Sequence, residues 1–198
     1  MKKIFVDYKK CVACKGCEIA CAIQQHPSHS LYALVGDKKT QVNVRVLGVE
    51  HEAFPVSCRH CDPAMCLDAC PSGAITRDPQ TAAVVLNPDL CKACAMCAMV
   101  CPFDAVSFKQ THRARYDRTV AYKCDLCHER LQEGLNPACV DACHSNALVF
   151  KESDELSNQR AVQNLKVYLL GEEGEPPLFS LYRELRRKEF ARRRSDKP

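Results

Sequence analysis

Sixteen of the 198 residues are cysteine, and they fall into four quartets with none left over: Cys11, Cys14, Cys17, Cys21; Cys58, Cys61, Cys66, Cys70; Cys91, Cys94, Cys97, Cys101; and Cys124, Cys127, Cys139, Cys143. Thiols this dense must be tied by disulfides, by structural zinc or by iron-sulfur clusters, and each reading predicts a different context. Disulfides fit worst. The opening "MKKIFVDYKKC" has a charged start, but Asp7 and the lysines interrupt any apolar stretch, so no secretory signal argues for an oxidising compartment. No run approaches the roughly 18 apolar residues that a bilayer span needs. The expectation is a soluble chain without a transmembrane segment, in a reducing cytoplasm.

Structural zinc usually takes two cysteine pairs separated by a longer stretch. "CKACAMCAMVCPF", residues 91–103, does not look like that. Its C-x2-C-x2-C-x3-C-P spacing is the bacterial ferredoxin run, in which three thiolates hold one [4Fe-4S] cube and the fourth ligates another. Cys11 to Cys21 repeats the x2-x2-x3 spacing, and Cys58 to Cys70 gives x2-x4-x3 with Pro71 after it. Four [4Fe-4S] clusters are therefore expected, using all sixteen cysteines.

Internal repetition indicates how the quartets pair. "CPSGAI" from Cys70, "CPFDAV" from Cys101 and "CHSNAL" from Cys143 each place an alanine four residues on and an aliphatic residue after it. "IFVDY", "AAVVL", "AVSF" and "NALVF" read as short strands beside the cluster loops. The second and third quartets are joined by "PSGAITRDPQTAAVVLNPDL", a strand, a turn and a strand, and both carry Pro after their last cysteine. They should form one two-cluster module, with Cys58, Cys61, Cys66 and Cys101 around one cube and Cys91, Cys94, Cys97 and Cys70 around the other. The first and fourth quartets then pair. One cube takes Cys11, Cys14, Cys17 and Cys143; the other takes Cys124, Cys127, Cys139 and Cys21. The domain expectation is an outer module over 1–50 and 110–152, an inserted module over 51–109 and a helical extension over 153–198. The fold class is α+β, two ferredoxin-like modules with one inserted in the other.

The quartet order, with eleven residues between Cys127 and Cys139, resembles the four-cluster ferredoxin subunits of multi-subunit oxidoreductases. "DYKKCVACKGCEIACA", "CRHCDPAMCLDAC" and "CAMCAMVCPF" most resemble the iron-sulfur protein that accompanies nickel carbon monoxide dehydrogenase. The resemblance covers roughly residues 1–150. "HPSHSLYALVGDKKTQVNVRV" departs from that group in its details, and "KACAMC" replaces the Gly-Cys-Trp of many relatives. The resemblance implies an electron-transfer subunit of an anaerobic oxidoreductase complex, with carbon monoxide dehydrogenase as the leading partner. A formate dehydrogenase, a hydrogenase or a molybdopterin or tungstopterin enzyme is the alternative. A flavin-dependent NAD(P)H oxidoreductase would be the other terminal.

The residues agree with a wire rather than an enzyme. No Gly-rich phosphate loop, G-x-S-x-G or dinucleotide fingerprint is present, and every thiol already has a structural assignment, so no catalytic residue is expected. The formal charge of +4 treats the cysteines as neutral. Each oxidised cube with four thiolates is near -2, which takes the chain to roughly -4 and removes the argument for nucleic-acid binding. The rival of another class is a zinc-stabilised binding module that holds nucleic acid on its basic tail. Lys10, Lys15, Arg59, Lys92 and Lys123 flank cluster cysteines and read most simply as solvated surface charges. His60, His128 and His144 read as hydrogen-bond donors to cluster sulfur rather than as ligands, and His26 and His29 as loop residues.

Beyond residue 150 the cysteines stop. Ala161, Leu165, Tyr168 and Leu169 lie at helical spacing before Gly171, an amphipathic helix expected to pack on the core. A second helix is expected from near Pro177, with Leu178, Leu181, Tyr182 and Leu185 on one face and an arginine-rich face opposite. It reads as a solvated tail, as a docking or self-assembly arm, or as a membrane-surface element. Deleting residues 172–198 separates these: unchanged co-purification of a partner leaves the docking arm without support.

Overall fold

The structure is a computed structural model that describes residues 2–35, 42–110 and 118–170. Among these described residues, eight short strands and six helices follow the chain in the order β1 (Lys2–Val6), α1 (Gly16–Gln25), β2 (Val44–Val49), β3 (Glu52–Ser57), α2 (Met65–Asp68), β4 (Ile75–Arg77), β5 (Val84–Leu86), α3 (Met96–Met99), β6 (Ser107–Gln110), β7 (Thr119–Tyr122), α4 (His128–Gln132), α5 (Ala138–Asp141), β8 (Leu148–Glu152) and α6 (Ser153–Leu170). The chain is thus a small α+β protein, as the sequence suggests.

The strands form four separate pairs: β1 with β8, β2 with β3, β4 with β5, and β6 with β7. The expected strand-turn-strand between the second and third quartets is the antiparallel β4–β5 pair, with Ile75 opposite Leu86 and Arg77 opposite Val84. "IFVDY" and "NALVF" meet as β1 and β8, which brings the two ends of residues 2–152 together. Three strands escape the sequence reading. β2 and β3 form a hairpin from Val44↔Ser57 to Val49↔Glu52, turning on Glu50 and His51, and β7 pairs with β6.

The x3 spacing dictates the helices. Residues four apart share a helix face, and α1 uses this to bury Cys17, Cys21, Ala22 and Gln25 together. Cys66, Cys97 and Cys139 each sit in a single helical turn, α2, α3 and α5, that carries the chain to the fourth cysteine. α1 packs on α5, and α2 on α3.

Two apolar clusters follow the same division. One gathers Ala64, Ile75, Val84, Cys91, Cys97 and Val120; the other gathers Cys17, Cys21, Val44, Cys139 and Leu148. Polar ties reinforce them. The Tyr122 hydroxyl donates to Gln25 Oε1 at 2.8 Å, Gln25 Nε2 donates to Asp125 at 3.3 Å, and Asp125 accepts the Cys127 N–H at 3.0 Å. This chain of bonds fastens α1 to the loop of the fourth quartet. The long spacer of that quartet is braced by Arg130, which donates to the Asn136 carbonyl at 2.8 Å and pairs with Asp141 at 2.8 Å.

By internal contacts residues 1–151 form one compact unit and residues 152–198 another. The expected helix before Gly171 is α6, along which Ala161 is exposed and Val162 and Leu165 are 53% and 54% exposed. The side chains of Tyr168 and Leu169, and the helix expected from near Pro177, lie outside the described residues. Among the described residues no helix is long and apolar enough to cross a membrane.

Val84 is 1% exposed at the centre of the first cluster. Val84→Ala, which deletes two buried methyl groups, is expected to cost about 2 kcal/mol. Val12→Ala, at a residue 71% exposed, should change stability by less than about 0.5 kcal/mol. Anaerobic guanidinium unfolding of the protein as isolated measures both.

Candidate metal centre

Each quartet opens with a loop whose backbone turns around its first thiol. The residue two positions after that cysteine has left-handed φ in all four quartets: Ala13 at 55°, His60 at 46°, Ala93 at 54° and Leu126 at 59°. Left-handed backbone is costly for residues with a side chain. Here it turns an N–H inward. His60, Ala93 and Leu126 donate to the sulfurs of Cys58, Cys91 and Cys124, each at 3.4 Å. Lys15, Ala95 and Cys127 are also left-handed, so each of those loops carries a second inward bend. Successive N–H groups arranged this way form a concavity that receives anions and iron-sulfur centres.

The closing cysteines are wrapped in the same manner. Gly73, Asp104 and Asn146, each three residues past Cys70, Cys101 or Cys143, have φ of 62°, 47° and 54°. Residue types that tolerate the left-handed region stand at all three positions. The chain then doubles back, and Ala105 N–H donates to Cys101 Sγ at 3.4 Å and Leu148 N–H to Cys143 Sγ at 3.3 Å. Cys91 and Cys21 receive further bonds, from Ala121 N–H at 3.4 Å and Asn43 N–H at 3.3 Å.

Thiols from different quartets come together. A cavity of about 280 Å³ is lined by Cys58, Cys61 and Cys66 with Cys101, walled by Met65, Val84, Val100 and Phe103. A much tighter enclosure of about 10 Å³ is lined by Cys124, Cys127 and Cys139 with Cys21. Cys17 has Cys14 and Cys143 as electrostatic neighbours, and Cys97 has Cys91, Cys70 and Cys66. Cys11 and Cys94 lie in the same two loops as these groups, and Cys14 and Cys94 are the exposed members. Among the described residues, no three Cys, His, Asp or Glu side chains gather around one metal-ion position.

Burial makes these thiols hard to ionise. It pushes Cys17 to about 11 and Cys21 to about 12, and raises Cys124 and Cys139 as well, with neighbouring thiols and, for Cys21 and Cys124, Asp125 adding to the shift. Cys66 and Cys97 move up for the same reason. Cys70 is the exception: burial raises it, but the Ser72 hydroxyl and the N–H groups of Ile75, Ala74 and Ser72 together bring it below the usual thiol value. Ligating thiolates must be deprotonated. Such a donor set needs cationic metal inside it, and the inward N–H groups are placed to share the negative charge left over. The residues fit iron-sulfur cubes on loop geometry and donor chemistry.

The flanking residues divide. Lys10 pairs with Asp7 at 3.5 Å, Lys15 and Lys92 are exposed, and Arg59 lies 5.5 Å from the ring centre of Phe54. Lys123 departs from the expectation of a solvated lysine. It is 6% exposed and donates to the Cys124 carbonyl at 2.6 Å and to the Val84 carbonyl. It lies one residue past β7, where Val120, Ala121 and Tyr122 are all buried, so no alternation announces which side chains point inward. His60 is 3% exposed, and its Nδ1 accepts the Val84 N–H at 2.9 Å. Burial, with Lys123 nearby, lowers it to about 3, so it is neutral. Among the described residues, His60 Nε2 and His128 Nδ1 are buried without a protein partner, whereas His144 is exposed. His26 and His29 lie just past α1, in the loop.

Comparison with known proteins agrees with this geometry. Residues 49–153 match the family of the 4Fe-4S dicluster domain. An iron-sulfur protein of Rhodospirillum rubrum is 34% identical over 158 residues, spanning 76% of this chain and 82% of that protein. The B component of the anaerobic dimethyl sulfoxide reductase of Escherichia coli K12 is 34% identical over 162 residues, 77% of this chain and 74% of that protein. Protein NrfC of the same strain is 34% identical over 157 residues, covering 77% of this chain and 66% of its own length.

Proline at position 93 would remove the N–H that bonds Cys91 and forbid the positive φ. Ala93→Pro is expected to lose the iron of one cube, roughly four atoms. Ala93→Gly, which relaxes into the same φ, should retain all of it. Iron analysis of anaerobically purified protein distinguishes the two.

Proposed function

Because the chain belongs to the 4Fe-4S dicluster domain family and carries several [4Fe-4S] clusters, we propose that it is the electron-transfer subunit of an oxidoreductase complex, passing single electrons through four such clusters. A cube held by four thiolates gains or loses one electron with little rearrangement. The observation that carries the reading is the gathering of thiols across quartets, three from one and one from another, around loops with inward N–H groups.

That gathering supports the following ligand sets. Cys58, Cys61, Cys66 and Cys101 hold one cube; Cys91, Cys94, Cys97 and Cys70 hold its neighbour. Cys11, Cys14, Cys17 and Cys143 hold a third, and Cys124, Cys127, Cys139 and Cys21 the fourth. Support for the last two comes from the neighbourhood of Cys17 with Cys143 and of Cys21 with Cys127 and Cys139. The two apolar clusters and the α1–α5 and α2–α3 contacts favour two ferredoxin-like modules, the inner one inserted in the outer. The protein's own work is positional. The cysteines fix the centres, the loop N–H groups spread the charge, and apolar walls such as Met65, Val100 and Phe103 limit water.

The partner is a catalytic oxidoreductase subunit, and the chain itself has no substrate site. Carbon monoxide dehydrogenase is the leading candidate, supported by the motifs of the first three quartets. A second reading is the equivalent subunit of a formate dehydrogenase, hydrogenase or molybdopterin or tungstopterin oxidoreductase; the likeness to the B component of anaerobic dimethyl sulfoxide reductase favours a reductase as partner over carbon monoxide dehydrogenase. The complex would be cytoplasmic.

Anaerobic preparation with iron and acid-labile sulfide analysis is expected to give about sixteen of each, four per cube. Zinc without sulfide would overturn the reading. Bleaching of visible absorbance by carbon monoxide only when its dehydrogenase is added would identify that partner. Reoxidation of the reduced protein by a molybdopterin reductase with its oxidised substrate, without a response to carbon monoxide, would replace it. Cys101→Ser should disturb the cube of Cys58, Cys61 and Cys66 and spare that of Cys91, Cys94 and Cys97, read as altered spectra of a single cluster by electron paramagnetic resonance.

A further inference from the structure

The two cross-quartet sites differ in the charge beside them. The cavity of Cys58, Cys61, Cys66 and Cys101 contains buried Lys123 and His60 in its wall, and among the described residues no carboxylate lines it. Both side chains grip the same residue. His60 Nδ1 accepts the Val84 N–H at 2.9 Å, and Lys123 Nζ donates to the Val84 carbonyl. Because Nδ1 accepts, the imidazole proton sits on Nε2, and that buried donor has no partner among the described residues. Lysine offers three donors, and two of them end on the carbonyls of Val84 and Cys124.

The enclosure of Cys21, Cys124, Cys127 and Cys139 has the opposite character. Asp125 lines it, bonded to Gln25 and to the Cys127 N–H, and among the described residues no lysine, arginine or histidine does. Cys58 is among the charges felt by Cys124, so the two sites are neighbours.

Cluster potentials are set by nearby charge and by hydrogen bonds to sulfur. A positive charge and a donor favour the form with the extra electron; a carboxylate disfavours it. Resting on the cluster reading above, we propose that Lys123 and His60 on one side and Asp125 on the other set a potential step between these two neighbouring cubes. The step directs electrons from the site of Cys21, Cys124, Cys127 and Cys139 into the site of Cys58, Cys61, Cys66 and Cys101. In each transfer the donor site is oxidised by one electron and the acceptor site reduced by one, with no proton moved.

The test is a redox titration of the purified holoprotein followed by electron paramagnetic resonance, with iron and sulfide measured on each sample. Lys123→Met is expected to make reduction of one cluster about tenfold less favourable, a shift of about 59 mV to lower potential. Lys123→Arg should restore it. Asp125→Asn, which keeps the acceptor for the Cys127 N–H, should move a different cluster to higher potential by a similar factor. Cys101→Ser identifies which signal belongs to the Lys123 site. Unchanged midpoints at full iron content, or shifts of both variants in the same cluster, would overturn the step. If Lys123→Met does not fold, Asp125→Asn and His60→Gln carry the test, the latter with a shift in the Lys123 direction. Loss of the cluster reading itself would appear differently, as absent sulfide in the unaltered protein.

Discussion

A thiol withdrawn from water keeps its proton, yet only a thiolate binds iron. That conflict governs this chain. Burial pushes Cys17 and Cys21 to about 11 and 12, so the interior is hostile to the very ions it must contain. Cationic iron and inward N–H groups resolve it together. Little else holds the protein: the sheets are four separate strand pairs, several of three to five residues, and three of the helices that carry cluster cysteines are single turns. Secondary structure so short is marginal in water by itself. Metal, backbone and core are therefore one cooperative object.

Buried Lys123 apart, the loops meet the requirement with backbone rather than with side-chain counter-charges. Left-handed residues recur two places after each opening cysteine and three places after three of the closing ones. Several are alanines, which tolerate that conformation at a cost. The cost is offset locally at His60, Ala93 and Leu126, where the turn aims an amide at sulfur. Specificity for the centre thus resides in torsion angles, while the surface charges beside the motifs, Lys15 and Lys92 among them, remain exposed.

Much of this was legible in the amino-acid order. Cysteine spacing encodes both the loop and the following helical turn, since C-x2-C fixes a tight bend and C-x3-C fixes one face of a helix. The β4–β5 hairpin and the β1 and β8 strands follow from short β-branched runs. Other features were not legible for physical reasons. The β2–β3 hairpin carries Pro55 and Gly48 in its strands and turns on Glu50–His51, without the Asn-Gly signal that announces most tight hairpins. Lys123 looks like any basic neighbour of a cysteine, and only the tertiary approach of Val84 shows that it is buried. The left-handed positions were half visible: Gly73, Asp104 and Asn146 are residue types suited to that region, but Ala13 and Ala93 give no such hint. In the extension, helical spacing made the existence of α6 legible.

β1 has another consequence. Among the described residues β1 pairs with β8 alone, which begins at Leu148. During synthesis at about 5–20 residues per second, α1 and its thiols must wait for almost the whole of the first unit to be made, while the β4–β5 pair and the α2–α3 contact can close as soon as they leave the ribosome. The cysteines of α1 are therefore made well before the elements that enclose them.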